Sequence, residues 1–461
     1  MKLDKILAMG AYGVQAVATL ALVFAVSHLL TGGEYGHYSL IVASAQSAAV
    51  LAFEWVRLAA SRFCANLGAD DMRSRKDTVQ ASFLMAVCAI AALAVGAVAV
   101  GLLSVSETLV GLAITLLIGI TDLLLVFLRV QGSFNQFAIL QMVRAFSLLA
   151  GSVAGAFWWQ TAQGALLGMC AGYAFTLLVY VLAAPTWWKW SARNFEPALF
   201  RSLAVYGVSV AAASNIHLQV PLLIRWLGKA FLPEAGFAGL SLAMDILQKP
   251  FALVTSAIGG VLTPGVIVEF EEAKNPHAPK LRQLYEIQLW CVVLMLGFAI
   301  ALLPDLCALL IKAELRDWVV HFGVPVALVF AGHTLLQTTI SIPGHLLHMG
   351  GRLIGHAVLE LSCVAMLMST VLYVADLRPY VWLWLGALAV FISIALAFPL
   401  VRKVPCKLPV AAIYIGGLVA FVQALLYFAD TQGNLLLMIA KAILTAGIGA
   451  LGLWCYRIVS K

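Results

Sequence analysis

The sequence predicts an all-α polytopic membrane protein, and three observations support this fold class. Hydrophobic residues make up 63% of its 461 residues, charged residues make up only 11%, and the mean hydropathy is +1.00. A soluble domain carries about 25% charged residues, so a chain this apolar needs a lipid environment. Its apolar runs are continuous and reach the ~20 residues of a membrane-spanning helix, whereas the strands of membrane barrels alternate over ~10 residues.

Breaks between the apolar runs divide the chain into fourteen candidate spans. The first run is longer than the about 7–15 apolar residues of a signal peptide, so we interpret it as a span. The tenth contains Pro325 and Pro343, which leaves a broken helix and a total of twelve or thirteen spans as alternatives. The predicted spans are 6–30, 38–62, 79–103, 108–128, 137–159, 163–184, 202–227, 237–262, 284–303, 318–345, 354–375, 380–400, 409–428 and 435–456.

Lysine and arginine are distributed unevenly between the two sides that these spans define. If the N-terminus is inside, nineteen of the 28 basic residues lie inside, four lie outside and five lie within spans. The positive-inside rule therefore predicts that both termini are cytoplasmic. The net charge of +7 then reflects the cytoplasmic loops, and no nucleic-acid partner is needed to explain it.

A short internal repeat predicts two halves of similar architecture. Residues 34–43 read EYGHYSLIVA and residues 234–243 read EAGFAGLSLA, with four identities at an offset of 200. Both segments lead into the second helix of a six-helix unit, which is typical of parallel repeats about an axis along the membrane normal. We therefore predict an N-terminal six-helix bundle at 1–201, a second bundle at 202–400 and two additional transmembrane helices at 401–461.

Ionisable residues within the spans are the candidate functional residues, because each costs about 2.5–3.5 kcal/mol to insert. Glu54 and Arg57 share one face of span 2, and Asp245 and Lys249 share one face of span 8, the equivalent helix of the second repeat. Two interpretations stay open. The pairs either neutralise themselves within each helix or line a polar substrate path between the halves.

Further charges inside the spans also have two interpretations each. Asp122 in span 4 either binds a cation or proton or pairs with Arg144 of span 5. Arg225 follows Pro221 by one turn near the outer end of span 7, and either snorkels to the interface or lines the path. Lys441 of span 14 is expected to snorkel outward.

The chain shows no signal for catalysis or for a resident metal. It contains no G-x-x-x-x-G-K-[ST], HExxH or GxSxG motif, and its longest predicted loops, 185–201 and 263–283, leave no room for a catalytic domain. Its eight cysteines form no CxxC pair. Among five histidines between positions 321 and 356, His345 and His348 share a helix face, but we interpret them as interfacial polar groups. We predict no catalytic residue and no metal site.

Four segments of the first 270 residues resemble a known transporter family. Residues 29–40, LLTGGEYGHYSL, resemble the R-x-L-x-P-x-x-Y-G-x-Y region of the polysaccharide-transport (Wzx-type) flippases. The segments EWVRLAASR at 54–62, LRVQGSF at 128–134 and 228–240 resemble the second-helix end, the loop after helix 4 and the second-half hairpin of that family. The chain departs from the family at His28, where arginine is frequent, and at 217–221, where a polar pair is frequent.

The resemblance implies a flippase of the superfamily that also contains lipid II flippases and MATE exporters. Such a protein lies in the bacterial inner membrane and moves a lipid-linked oligosaccharide by alternating access, for O-antigen, capsule or exopolysaccharide assembly. Its expected partners are an anionic polyprenyl-pyrophosphate oligosaccharide, membrane lipids and other polysaccharide-assembly proteins. The substrate-binding candidates are Arg57, Arg144, Arg225 and Lys249, and the candidates for charge pairing or for coupling to a proton or sodium ion are Glu54, Asp122 and Asp245.

Two other functions compete with the flippase. A MATE-like cation-coupled exporter of small molecules would use the acidic residues as its site. A membrane glycosyltransferase or polysaccharide polymerase would normally carry a sizeable extracytoplasmic loop, and the sequence predicts none. We therefore expect a transporter rather than an enzyme, with no cofactor beyond a coupling cation.

Overall fold

The computed structural model describes most of the chain, and helices are the only regular secondary structure in the part that it describes. The described residues are 3–64, 69–101, 104–183, 195–273, 279–346, 350–373, 381–401, 410–429, 431 and 434–459. Within these ranges the α-helices are α1 (Leu3–Leu29), α2 (Gly32–Phe63), α3 (Ala69–Ala99), α4 (Val105–Val130), α5 (Phe134–Trp159), α6 (Ala162–Ala183), α7 (Pro197–His217), α8 (Val220–Phe231), α9 (Glu234–Ala273), α10 (Pro279–Leu310), α11 (Ala313–Leu346), α12 (Gly350–Tyr373), α13 (Val381–Val401), α14 (Val410–Leu425) and α15 (Leu435–Val459).

These helices confirm an all-α polytopic membrane protein. In the described residues, ten helical stretches are long and apolar enough to cross a membrane. Two shorter apolar stretches, Ile354–Ser369 and Leu383–Leu396, belong to α12 and α13. Within the described residues, each of the fourteen predicted spans falls on one helix, except that span 7 falls on α7 and α8 and span 13 falls on α14 and a short 3-10 helix (Leu426–Phe428), so the helix order is consistent with the predicted count.

Two local differences from the predicted spans have physical causes. Span 7 is divided, because α7 ends at His217 and α8 begins at Val220, with Pro221 in the first turn where proline is tolerated. Helix α11 is continuous from Ala313 to Leu346, so the unbroken alternative for span 10 is the one observed. The predicted loop 263–283 is wrong in its first part, since α9 continues to Ala273 through a glutamate-rich segment that favours helix.

The chain forms two compact units, Met1–Leu222 (unit 1) and Leu223–Lys461 (unit 2). Unit 1 contains α1–α7 and unit 2 contains α9–α15. The predicted boundaries at 201 and 400 were drawn from the repeat and the span count, and they stay a prediction.

In unit 1, α5 and α6 pack against each other with their backbones in contact. A Cβ atom added to Gly168 would lie 2.0 Å from the carbonyl oxygen of Gly151, and one added to Gly155 would lie 2.2 Å from that of Gly164. Small residues allow this approach, which provides the packing energy that a lipid environment otherwise lacks. The α5–α6 pair is therefore a rigid support for residues on α5.

Helix α2 lies at the centre of unit 1, where it packs against α4 and α7. Phe53 of α2 stacks on Phe83 at 4.5 Å between ring centroids and also fills the space above Gly119 of α4. On the α7 side, a Cβ added to Gly207 would meet the carbonyl oxygen of Trp55 at 2.4 Å. These contacts fix the rotation of α2 and hence the direction of its charged side chains.

In unit 2, α11 packs against α9, α10 and α13, and the last two helices pack against α10. Trp290 of α10 and Tyr456 of α15 form an aromatic contact at 5.8 Å within a cluster that also contains Ala412 and Val419 of α14. Helices α14 and α15 therefore belong to the core of unit 2.

Candidate functional site

The candidate site of unit 1 starts on one face of α2. Glu54 and Arg57 are three residues apart, and their carboxylate and guanidinium approach to 2.7 Å. The ion pair within the helix, one of the two interpretations left open, is therefore present. The Arg57 side chain is nevertheless 33% exposed, so the pair does not bury the guanidinium completely.

Asp122 of α4 joins this pair to a second arginine on α5. Arg57 Nη1 donates a hydrogen bond of 2.8 Å to Asp122 Oδ2, and Arg144 Nη1 donates one of 2.6 Å to Asp122 Oδ1. Each carboxylate oxygen of Asp122 thus accepts a hydrogen bond from a different guanidinium group. The predicted Asp122–Arg144 pair is confirmed, while the link from α2 to α4 was not anticipated. Glu54, Arg57, Asp122 and Arg144 are called the charge chain below.

The charge chain is formally neutral, since it contains two guanidinium groups and two carboxylates. Neutrality matters here, because an unpaired charge in a low-dielectric environment costs several kcal/mol. Arg144 is the more buried arginine, with 10% of its side chain exposed. Among the described residues, its Nε atom is buried and has no hydrogen-bond partner, so this guanidinium has a donor that its contact with Asp122 does not use.

Polar groups from α7 extend the same face of α2 in unit 1. Asn215 donates a hydrogen bond of 3.3 Å to the carbonyl of Val50, and Ser47 donates one to the side-chain oxygen of Gln219. Ser47 and Glu54 lie seven residues, or about two helical turns, apart on α2, so the contacts with α7 continue the face that carries Glu54. The sequence interpretation missed Asn215 and Gln219, although amides within an apolar run were an available signal.

The candidate residues of unit 2 adopt a different pairing from the predicted one. Arg225 of α8 donates a hydrogen bond of 2.8 Å to Asp245 of α9, and the arginine side chain is only 2% exposed. Of the two interpretations of Arg225, snorkelling to the interface is therefore excluded, and a place in the substrate path stays a prediction. Asp245 binds this arginine, and Lys249, one turn further along α9, forms no ion pair with any residue of the described chain. The predicted Asp245–Lys249 ion pair is absent there.

Two buried pairs in unit 2 were not predicted. His333 of α11 lies 3.3 Å from Glu360 of α12, and both side chains are buried. Lys441 of α15 lies 2.7 Å from Asp305 of α10, so the expectation that Lys441 snorkels outward is wrong. A carboxylate inside an apolar run was the available signal for Glu360 and Asp305. The side chains of the histidines at 345 and 348 lie outside the described residues.

The structure therefore brings together four of the seven candidate residues in unit 1 and two in unit 2. Glu54, Arg57, Asp122 and Arg144 form one network, and Arg225 and Asp245 form a pair. Such arrangements of guanidinium groups suit oxyanions, because the planar guanidinium of arginine presents fixed donors that match carboxylate or phosphate oxygens.

Comparison with known proteins finds solved structures that share this fold. No protein-family model matches the sequence, and no curated protein matches it. The lipid II flippase MurJ in its inward closed conformation matches with a TM-score of 0.66 and 12% identity, over 100% of both chains. An inward-facing multidrug resistance MATE transporter matches with a TM-score of 0.58 and 12% identity, over 86% of this chain and 94% of the other.

A third similar structure is a MOP superfamily transporter from Pyrococcus furiosus, described by the reverse polarity of its binding pocket. It matches with a TM-score of 0.53 and 11% identity, over 86% of this chain and 93% of the other. At these identities the likeness concerns the fold alone. The predicted MATE-like architecture is confirmed, the similar structures are transporters rather than enzymes, and the specific resemblance to the Wzx-type family stays a prediction.

Proposed function

We propose that this protein is a flippase that carries an anionic lipid-linked oligosaccharide from the cytoplasmic to the outer leaflet by alternating access. It serves O-antigen, capsule or exopolysaccharide assembly in a bacterial inner membrane, with both termini in the cytoplasm and other assembly proteins as partners. The observation that carries the proposal is the convergence of Arg57 and Arg144 on one carboxylate, within a fold shared with a lipid II flippase.

The chemistry of such a substrate matches the charge chain. A polyprenyl tail stays in the lipid during translocation, so only the glycan and the pyrophosphate need a polar environment. The pyrophosphate is the costly part, because a charge in the membrane interior is costly unless it is paired. Guanidinium groups bind phosphate oxygens through two parallel donors, and Arg57 has the exposure that contact with a headgroup requires.

Unit 2 contains two basic candidate residues, Arg225 and Lys249, which differ in their pairing. Arg225 is held by Asp245 and almost completely buried, so we assign it the role of positioning α8 against α9. Lys249 is a flexible ammonium without an ion pair in the described chain, which suits a transient contact with a phosphate. Lys249 is therefore our first candidate in unit 2.

The MATE-like alternative is weaker, because each acidic candidate residue is already paired with an arginine. Glu54 binds Arg57, Asp122 binds two arginines and Asp245 binds Arg225, so a small organic cation would have to displace a guanidinium from each. A coupling proton or sodium ion would also have to compete with these guanidinium groups for the carboxylates. The arrangement favours an anionic cargo over a cationic one.

Reconstitution into proteoliposomes tests the proposal. The vesicles contain a polyprenyl-pyrophosphate oligosaccharide, and a membrane-impermeant glycosidase reports its arrival in the outer leaflet. We expect the wild-type protein to accelerate arrival and Arg57→Gln to slow it by about tenfold, a loss of about 1.4 kcal/mol of binding. Arg282→Gln is the matched control, since Arg282 is an exposed arginine paired with Glu286 on α10.

Two outcomes would overturn the proposal. In the first, the wild-type protein does not move the lipid-linked oligosaccharide but extrudes ethidium from the same vesicles, which would identify it as an exporter of small cations. Equal acceleration by the wild type and Arg57→Gln, with Arg282→Gln unchanged, would remove the charge chain from the substrate path.

A further inference from the structure

Asp122 occupies the place beside Arg57 that a substrate phosphate would need. Its two carboxylate oxygens are each within hydrogen-bond distance of a guanidinium, at 2.8 Å for Arg57 and 2.6 Å for Arg144. A phosphate group presents oxygens of the same charge and similar spacing, so both groups would use the same donors. The carboxylate is thus a group of this protein that mimics the headgroup.

The two contacts of Asp122 differ in their exposure. The Arg57 side chain is 33% exposed, whereas the Arg144 side chain is 10% exposed and sits on α5, the helix held by backbone contact with α6. Glu54 holds Arg57 from its own helix, so this guanidinium stays in place when Asp122 leaves it. The contact with Arg57 is therefore the one that a ligand can exchange.

The ionisable groups around Asp122 leave no net charge to attract an anion. Arg57 and Glu54 face it from α2 and Arg144 from α5, and among the described residues Tyr173 of α6 is a further titratable group near it. Tyrosine is ordinarily uncharged near neutral pH. Because the two cations are balanced by two carboxylates, an incoming anion is attracted strongly only when one carboxylate gives up its arginine.

We propose that Asp122 is an internal competitor of the substrate headgroup. Pyrophosphate binds Arg57 while the Asp122 carboxylate withdraws onto Arg144, and the return of Asp122 to Arg57 expels the headgroup. The exchange makes binding reversible, so the site avoids trapping a strongly charged ligand. This inference rests on the proposed function, and it adds that one carboxylate sets the affinity for the anion.

The exchange predicts an unusual gain of binding on mutation. The probe is inorganic pyrophosphate, titrated calorimetrically into the full-length protein in detergent at low salt. We expect Asp122→Asn to bind about tenfold more tightly than the wild type, since the competitor of Arg57 is gone. Asp122→Glu, which retains the carboxylate, is expected to show no such gain.

Asp122→Asn leaves Arg144 without its carboxylate partner, and the variant protein could fail to fold for that reason. A double variant addresses this case. Asp122→Asn combined with Arg144→Gln removes one charge of each sign, so its net charge equals that of the wild type. Competition for Arg57 predicts tighter pyrophosphate binding in this variant as well, whereas a simple charge effect predicts none. Glu107→Gln, in the first turn of the same helix α4 and outside the charge chain, is the control for another carboxylate of unit 1 and is expected to leave the affinity unchanged.

The outcomes separate this inference from the proposed function. If the double variant binds pyrophosphate with the same affinity as the wild-type protein, the proposed competition is wrong. The assignment of Arg57 to the substrate is tested separately, by the flipping assay. Adding Arg57→Gln to the double variant should abolish the gain. If tight binding survives that third change, the pyrophosphate is bound elsewhere, and both the competition and the role of Arg57 are wrong.

Discussion

Lys441 donates a hydrogen bond of 2.7 Å to Asp305 in the interior of unit 2, where the two side chains are 5% and 4% exposed. The same ammonium group binds the carbonyl of Ala429 at 2.8 Å, and Asp305 also accepts a hydrogen bond from the Thr431 hydroxyl. The pair therefore fastens α15 and the segment before it to α10.

Lys441→Met is expected to destabilise the protein by about 3–5 kcal/mol, because it leaves the Asp305 carboxylate buried without its cation. Unfolding in detergent, followed by tryptophan fluorescence, measures the change. Lys229→Met, at an exposed lysine of α8, is the control and should change stability by less than about 0.5 kcal/mol. A Lys441→Met protein as stable as this control would contradict a tight anchor, and replacing Asp305 by Leu in the same protein should restore most of the loss.

Gly168→Ala is expected to separate α5 from α6. The added Cβ would lie 2.0 Å from the carbonyl oxygen of Gly151, which is backbone and cannot rotate away, so about 1–3 kcal/mol of stability should be lost. Gly111→Ala is the matched change, because nothing lies within 4 Å of its Cβ. Thermal melting of the two variants in detergent compares them, and equal melting temperatures would show that the backbone contact is absent.

Cys64, just after α2 and outside the candidate spans, is expected to react slowly with maleimide at neutral pH. Burial raises the pKa of its thiol to about 11, with Arg75 opposing the rise, and the thiolate is the reactive form. Labelling of a variant with Cys64 as its single cysteine should keep increasing as the pH approaches that value. A single cysteine placed at the exposed Ser61 is the control, and equal rates for both at neutral pH would contradict the burial of Cys64.

The sequence predicted the helices well, because the length of an apolar run responds directly to the thickness of the bilayer. It placed span 7 correctly but not its division, since Pro221 alone does not show whether a helix bends, stops or continues. Span 8 was predicted to end at residue 262, whereas helix α9 continues beyond the apolar residues to Ala273. Hydropathy detects only the apolar part of a helix, so it does not show where such a helix ends.

Charge pairing was predictable only where the choice of partners was small. Asp122 and Arg144 are 22 residues apart on consecutive helices, so each is an obvious partner for the other. The contact between Arg57 and Asp122 joins residues 65 apart and depends on the rotation of α2, which the packing of Phe53 and Gly119 fixes. No local spacing carries that information.

The same limit explains why snorkelling, which was expected of Lys441 and was one alternative for Arg225, is not observed. Arg225 and Lys441 lie near the ends of spans, where a long side chain ordinarily reaches the interface. In the structure each meets a carboxylate on another helix, Asp245 or Asp305, and an ion pair in the interior replaces hydration. Sequence position indicates where a charge is tolerated, while the tertiary contacts decide which partner it takes.

The most direct test of the proposed function compares two lipids that carry the same glycan in the same proteoliposomes. One glycan is attached through pyrophosphate to a polyprenol and the other is attached to an uncharged diacylglycerol. The account predicts that the wild-type protein moves the pyrophosphate-linked form and leaves the uncharged form, and that Arg57→Gln removes this preference. Equal rates for both lipids with the wild-type protein would contradict recognition of an anionic headgroup by the arginines of the charge chain.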